Sequence, residues 1–249
     1  RDLMAIVPEL GLPSIVRMDS HRQPDTRIHC IRSDGIACVL VYDRIEEVQA
    51  WVTVETDGLI EDVVCLPALA GNLDDQVYYV VKRTINGSTV RYLEKWAQES
   101  ECRGGALSRL ADSHIVYEGA ATATITGLAH LEGEEVVVWG NGLDLGTVDS
   151  GTEWTQTYTV SGGQIVLSAA TTNVCVGLAY EASFKSSKLG MATQDMPAPL
   201  NRVKQIDHLG LILADAHPRG LRFGPSFDVL NDMPAIESGA PVGSATITD

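Results

Sequence analysis

Around residues 77–94 an alternating pattern of apolar and polar residues restricts the chain to antiparallel β-structure. Two such runs, at residues 77–83 and 89–94, lie on either side of the sequence Ile-Asn-Gly-Ser. Alternation of this kind is typical of a strand with one buried face. Asn86 and Gly87 tolerate the positive φ angles that a two-residue hairpin turn requires. The sequence therefore predicts a β-hairpin at this position.

Short strand-like runs recur before and after the hairpin, and turn residues such as Gly35 and Gly58 separate them. Their spacing is typical of all-β folds. The other predicted strands lie at residues 27–32, 36–42, 48–56, 60–69, 134–139, 155–160, 164–167, 174–180 and 203–214.

This pattern predicts an all-β protein in which a propeller-like or meander sheet platform carries an inserted small β-barrel. Consecutive meanders build propellers, although the same spacing also fits a β-sandwich. A small sheet needs closure to protect its edges, which favours a barrel for the second strand-rich region. The abrupt ends predict a piece of a longer polypeptide. The predicted parts are an unplaced N-terminal segment (1–26), meander or propeller-type sheets (27–119, with a helix or loop connector from 95), the barrel (120–184) and return strands (185–249).

Composition excludes several classes of function. The net charge is −15, with 33 acidic and 18 basic residues, and no basic cluster offers the footprint of a sequence-specific nucleic-acid binder. No apolar run approaches the ~20 residues of a membrane-spanning helix, so we predict no membrane span. The five cysteines are widely spaced without a C-x-x-C motif, which predicts reduced, buried side chains in a protein made in a cytoplasm.

Adjacent pairs of carboxylates do not predict a catalytic site. Neighbouring residues on a strand point to opposite faces, whereas a glycosidase needs two carboxyl groups that face each other. We therefore expect solvated loop or edge charges. A calcium ion in the loop at residues 71–75 is the alternative, although that loop lacks the EF-hand spacing. The pairs are Glu46-Glu47, Asp74-Asp75 and Glu134-Glu135.

The remaining chemistry-bearing residues also favour a protein without enzymatic activity, metal or cofactor. The six histidines lack close metal-ligand spacing, so each is expected at a turn or strand edge. No nucleophile elbow or phosphate-binding loop occurs. Trp51 and Trp96 are expected to pack between strands, while Trp154, beside the loop at 148–152, is a candidate glycan contact. The histidines are His21, His29, His114, His130, His208 and His217.

Residues 128–189 resemble the module known as the FCCH domain of ubiquitin-activating enzymes. The similar motifs are "LAHLEGEEVVVWGNGLDLG", "YTVSGGQIVLS" and "VCVGLAYEASFKSSKL". The module also occurs in phage proteins, where a stretch similar to residues 31–96 precedes it and "VVKRTINGSTVRYLE" is the most specific motif. The sequence "RVKQIDHLGLILADAHPRGLRFG" is similar to the same family. Ubiquitin activation is not implied, since the chain has neither a nucleotide loop nor a cysteine in a nucleophilic setting.

The resemblance implies a structural component of a bacteriophage tail, similar to the tail nozzle family of short-tailed phages. Such a protein would be made in the host bacterial cytoplasm and would form a homo-oligomeric ring, a hexamer, as nozzle or hub around the DNA channel of the virion. Its implied partners are adjacent tail tube, adaptor and fibre proteins. An acidic lumen would repel passing DNA over ~8 Å at physiological salt. The alternative is a receptor- or glycan-binding tail module, whose signature would be exposed aromatic residues on loops.

Overall fold

The computed structural model describes residues 4, 7–69, 71, 73–98, 101–102, 105–106, 108–146, 158–186, 209–211, 220–233, 236–237 and 240–241. The chain divides into two compact units, Arg1–Tyr180 and Glu181–Asp249. Most described residues belong to antiparallel sheets, so the prediction of an all-β protein is confirmed. No helix within these ranges is long and apolar enough to cross a bilayer.

The first sheet is an antiparallel meander of four strands in sequence order. Its third strand is buried on both faces, since each residue from Ala37 to Leu40 is at most 1% exposed. The first strand falls inside the segment 1–26 that sequence reasoning left unplaced, and a short 3-10 helix, Pro8–Gly11, precedes it. The strands are β1 (Ile15–His21), β2 (Arg27–Arg32), β3 (Ala37–Asp43) and β4 (Val48–Val54).

The second sheet is a three-stranded meander that contains the predicted hairpin. Asn86 and Gly87 have φ angles of 45° and 72°, as a two-residue turn between paired Ile85 and Ser88 requires. The hairpin prediction is confirmed. The strands are β5 (Leu59–Leu66), β6 (Gln76–Ile85) and β7 (Ser88–Lys95).

The first two sheets share an apolar core. Ile31 and Ala37 of the first sheet pack with Ile60, Val63 and Val81 of the second. The Ile60 backbone N–H also donates a hydrogen bond to the carbonyl oxygen of residue 35, at 2.9 Å. The two meanders therefore lie face to face, with every second side chain of their strands directed inward.

The third sheet has the strand order β10-β9-β12-β8, and β11 pairs with β9. It encloses its own core, in which Leu128, Leu131, Val136, Val138 and Val174 are completely buried. The sheets built from the described residues are open, so the predicted barrel closure is not confirmed. The strands are β8 (Asp112–Thr126), β9 (Glu135–Gly140), β10 (Leu143–Asp144), β11 (Tyr158–Thr159) and β12 (Gln164–Leu178).

Two predictions for this region were wrong. Strand β8 begins at Asp112, so the end of the predicted helix or loop connector is a strand. The runs 164–167 and 174–180 are joined in β12, where register shifts against β8 allow one long strand to bend. The turn predicted between 155–160 and 164–167 is present, since Ser161 bridges Gln164 and both glycines between them have positive φ. The described part of the first strand, β11, pairs with β9 instead of extending this hairpin.

Within its described residues, the unit Glu181–Asp249 has two small antiparallel pairs. The predicted strand at 203–214 lies mostly outside the described residues, and the return of this region to the platform stays a prediction. The pairs are β13 (Arg222–Ser226) with β14 (Val229–Asp232), and β15 (Ile236–Glu237) with β16 (Ala240–Pro241).

Candidate functional site

A cluster of polar and aromatic side chains lies between the first two sheets, beside their apolar core. His21 and His29 come from β1 and β2, Cys65 from β5 and Tyr79 from β6. One ring nitrogen of each histidine and the Cys65 Sγ lie within 4.8 Å of one another. We call His21, His29 and Cys65 the inter-sheet cluster.

Strand register brings the two histidines together. Asp19 is paired with His29, and His21 is paired with Arg27, across β1 and β2. His21 and His29 are therefore diagonal neighbours on the same face of the sheet. Ile31, two residues after His29, belongs to the core between the sheets, so this face is the one that points toward β5.

The histidines are buried and hydrogen-bonded. The exposed fraction is 6% for His21 and 0% for His29. The distance between His29 Nε2 and His21 Nδ1 is 3.1 Å, and His29 Nδ1 lies 2.7 Å from the Tyr79 hydroxyl. The Trp96 ring contacts His29 edge-to-face, with 5.0 Å between ring centroids. The ring of His29 is thus fixed from three directions.

Burial sets the protonation states of this cluster. The pKa of His29 is lowered to about 4, mainly by desolvation and to a smaller extent by the nearby His21 and Arg27. Desolvation and then Arg27 also lower the pKa of His21. Both imidazoles are consequently neutral at pH 7. Burial, followed by the negative charges of Asp19 and Asp75, raises the pKa of the Cys65 thiol to about 12.

A cleft of about 30 Å³ opens beside the cluster, and His21, His29, Asp74, Trp96 and Gln98 contribute to its walls. This volume has room for roughly two water molecules. The cleft gives small ions a path from solvent to the histidines.

Asp75, on the same wall, corrects the prediction that the carboxylate pairs are solvated. Its carboxylate accepts hydrogen bonds from the backbone N–H groups of Arg22, Gln23 and Ala68, at 2.9, 3.2 and 2.9 Å. These bonds lower the pKa of Asp75, and the bond from Arg22 has the largest effect. The side chain thus anchors the segments that contain Arg22 and Ala68.

Of the other two carboxylate pairs, one is exposed, and the second has one exposed and one hydrogen-bonded member. Glu46, Glu47 and Glu135 are exposed, as predicted. Glu134 instead accepts a hydrogen bond from the Asn86 backbone N–H at 2.9 Å, so it holds the hairpin turn against the third sheet.

A second feature is an apolar surface on the outside of the second sheet. Val64 and Leu66 of β5 are 41% and 47% exposed, and Leu93 of β7 is 67% exposed. The half-buried Tyr78 and Val80 of β6 lie between them, because Val64 is paired with Tyr78 and Val80 with Leu93. We call these five residues the outer apolar face.

The cysteines and tryptophans partly follow the predictions. All five cysteines are reduced, and Cys30, Cys38 and Cys175 are buried, whereas Cys65 is half-buried and Cys102 is exposed. The expected burial of Cys102 was wrong because it lies on a connecting segment and not in a strand. Trp96 packs against the core, as expected. Trp154, the candidate glycan contact, lies outside the described residues.

Sequence reasoning missed the inter-sheet cluster. Seven residues separate His21 from His29, a spacing that matches no common metal motif. The signal that could have found them is the β1–β2 register, which required recognising β1. The other described histidines are bonded elsewhere: a ring nitrogen of His114 contacts the Ala111 carbonyl at 3.0 Å, and one of His130 the Ser113 carbonyl at 2.9 Å. His208 and His217 lie outside the described residues.

A scan against protein-family models and a search of curated proteins found no match to this sequence.

Proposed function

We propose that this protein is a structural component of a bacteriophage tail, a nozzle or hub ring around the DNA channel that assembles with itself and with neighbouring tail proteins. The observation that carries the assembly role is the outer apolar face. The phage context comes from the sequence resemblance, whose most specific motif is the hairpin formed by β6 and β7.

The outer apolar face has the properties of a protein-binding surface. Its members extend across three adjacent strands, so they form one contiguous area. Contiguous exposed apolar patches on a folded protein mark interaction sites, since their burial against a partner is favourable. At its margin, the exposed pair Arg91–Glu61 supplies the charged rim that is common around interfaces.

The sheet arrangement supports a platform role. Two consecutive antiparallel meanders, of four and three strands, fit the repeating units of a propeller-like platform. In this proposal the third sheet, which includes β8 and β12, is the inserted module of barrel type. The hexameric ring, the adaptor and fibre partners and the location in the virion tail rest on the resemblance alone.

The charge of the chain fits a channel through which DNA slides. With a net charge of −15, carboxylates on a ring lumen would repel phosphates, and their effect would extend ~8 Å at physiological salt. DNA would then pass without being held.

The test compares Leu93→Lys with the matched control Thr84→Lys. Thr84 is exposed and lies on the same face of β6 as Val80. It is at the hairpin end of the strand, away from the outer apolar face. We expect the wild-type chain and Thr84→Lys to form the same ring-sized oligomer by light scattering and electron microscopy, alone or with neighbouring tail proteins. Leu93→Lys should shift it toward monomer. Equal oligomers for all three proteins, or a monomer under every condition, would refute the proposal.

The receptor-binding alternative depends on Trp154. Virions that carry Trp154→Ala should adsorb to host cells as efficiently as wild type if the chain is a ring component. A loss of adsorption with intact tails would favour the alternative instead.

A further inference from the structure

We propose that His21, His29 and Cys65 form a structural zinc site that ties β1 and β2 to β5, with water as the fourth ligand. This inference does not depend on the assembly role, because it concerns the interior between the first two sheets.

The donor atoms suit a zinc ion in type, and the two nitrogens also suit it in spacing. Imidazole nitrogens and cysteine thiolates are both zinc ligands, and a zinc ion with three protein ligands takes water in its fourth position. Zn–N bonds of about 2.0–2.1 Å at tetrahedral angles place two nitrogens roughly 3.3 Å apart. The observed distance between His21 Nδ1 and His29 Nε2 is 3.1 Å. An ion can therefore lie between these two nitrogens once the proton between them moves to the other nitrogen of its ring. The Cys65 Sγ, within 4.8 Å of both, must then approach the ion.

Tyr79 provides the outer support that metal-binding histidines require. When Nε2 of His29 binds the ion, its proton resides on Nδ1, and Nδ1–H donates to the Tyr79 hydroxyl at 2.7 Å. Such partners fix the tautomer and ring orientation of a ligand. Trp96 packs edge-to-face on the same ring and restricts its rotation.

The surrounding charges favour a cation. Asp19 accepts a hydrogen bond from the Cys65 backbone N–H at 2.6 Å, and Asp75 anchors the adjacent loops. Asp74 lines the cleft, and Arg27 on β2 is the positive group that opposes the ion. Zinc binds neutral imidazoles and a thiolate, so binding requires the Cys65 thiol to release its proton. The cleft beside His21 and His29 gives the ion and its water access from solvent.

The site adds a metal link between two sheets that already meet through apolar contacts and hydrogen bonds. His21 and His29 belong to the first sheet and Cys65 to the second, so a shared ion links residues that are 44 and 36 positions apart in sequence. The expected role is therefore stabilisation of the fold.

The experiment uses the full chain, stripped with EDTA and titrated with Zn²⁺ or with Co²⁺ as a spectroscopic probe. We expect one bound zinc per chain and a sulfur-to-cobalt charge-transfer absorption. Cys65→Ser should abolish this absorption, whereas Cys102→Ser, which removes an exposed thiol outside the site, should retain it. Tyr79→Phe should weaken zinc affinity by about 10- to 100-fold, as expected for an outer-shell partner.

Two further readouts use the wild-type chain, so they do not depend on the folding of any variant. Zinc should raise the midpoint of thermal unfolding, and EDTA should reverse the shift. Affinity should rise about tenfold per pH unit between pH 7 and pH 9, because one proton is released. Failure to retain zinc after dialysis, or a cobalt spectrum without the thiolate band, would overturn the proposal.

Discussion

Replacing Arg83 by methionine should strongly destabilise the unit Arg1–Tyr180. The Arg83 side chain is completely buried in the second sheet. Its guanidinium donates two hydrogen bonds to the Glu94 carboxylate, both at 2.7 Å, and one to Asp112 at 3.1 Å. A fourth bond, at 2.6 Å, reaches the carbonyl oxygen of Asp57. One cation therefore joins β6, β7, β8 and the turn before β5.

The expected cost follows from this geometry. Methionine preserves much of the side-chain volume but removes the cation from two carboxylates and a donor from a carbonyl. The carboxylates then keep only the uncharged donors Ser113 and Thr56. Removal of one partner from a buried ion pair costs about 3–5 kcal/mol, because the remaining charge is desolvated and uncompensated. Since 1 kcal/mol lowers the unfolding midpoint of a domain this size by about 2–4 °C, we expect a decrease of roughly 6–20 °C.

Arg91→Met is the matched control in the same sheet. Arg91 also makes a bidentate pair, with Glu61 at 2.7 and 3.1 Å, but its side chain is 59% exposed. Exposed pairs of this kind contribute at most about 1 kcal/mol, because water replaces the lost partner.

Urea unfolding followed by tryptophan fluorescence measures both variants. All four tryptophans belong to the unit Arg1–Tyr180, so the signal reports the unit that contains Arg83. The double variant Arg83→Met/Glu94→Gln should be less destabilised than the sum of the single changes, because the uncompensated charge is removed. Equal losses for Arg83→Met and Arg91→Met would refute the reasoning.

Three more outcomes follow from the structure. The lowered pKa of His29 means that protonation favours the unfolded chain, so its contribution to stability is complete above pH 6.5 and is lost as the pH falls to about 4. This loss is worth about 3 kcal/mol, and His29→Gln should flatten the dependence in urea titrations at several pH values. Gly58→Ala should lower the free energy of unfolding more than Gly87→Ala in the same assay. Both substitutions carry a backbone penalty of about 1–3 kcal/mol. Of the two, only a Cβ at residue 58 meets a carbonyl oxygen, that of Lys82 at 2.6 Å. A thiol reagent should label Cys102 rapidly and the other four cysteines only after unfolding, which mass spectrometry of the labelled peptides can check.

Local pattern predicted the parts of the fold that depend on local chemistry. The hairpin at Asn86-Gly87 formed as expected, because alternation and turn residues specify the same register. Strand β1 was missed because its apolar residues Val16 and Met18 face outward and are 44% and 67% exposed, so no buried face appears in its sequence. The extent of β8 and β12 depends on pairing between strands distant in sequence, and alanine and threonine runs in them carry no alternation.

The inter-sheet cluster could not be predicted for a related reason. His21 and His29 meet through a cross-strand diagonal, and Cys65 joins them only when the second sheet packs on the first. The outer apolar face is equally a product of pairing, since Val64, Val80 and Leu93 are adjacent in space and separate in sequence. Sequence reasoning identified β2 to β7 but not which side chains their register assembles.

The β6–β7 hairpin also couples the second sheet mechanically to the third. Glu134 binds the Asn86 N–H at its tip, the Tyr92 hydroxyl donates to the His130 carbonyl at 3.0 Å along its side, and Ile85 is buried in the core of the third sheet. A load applied to the third sheet would therefore pass directly into β6 and β7, in addition to the covalent connection after β7. Because the hairpin is held at its tip and along its side, we expect the second and third sheets to move together when the protein is pulled or compressed.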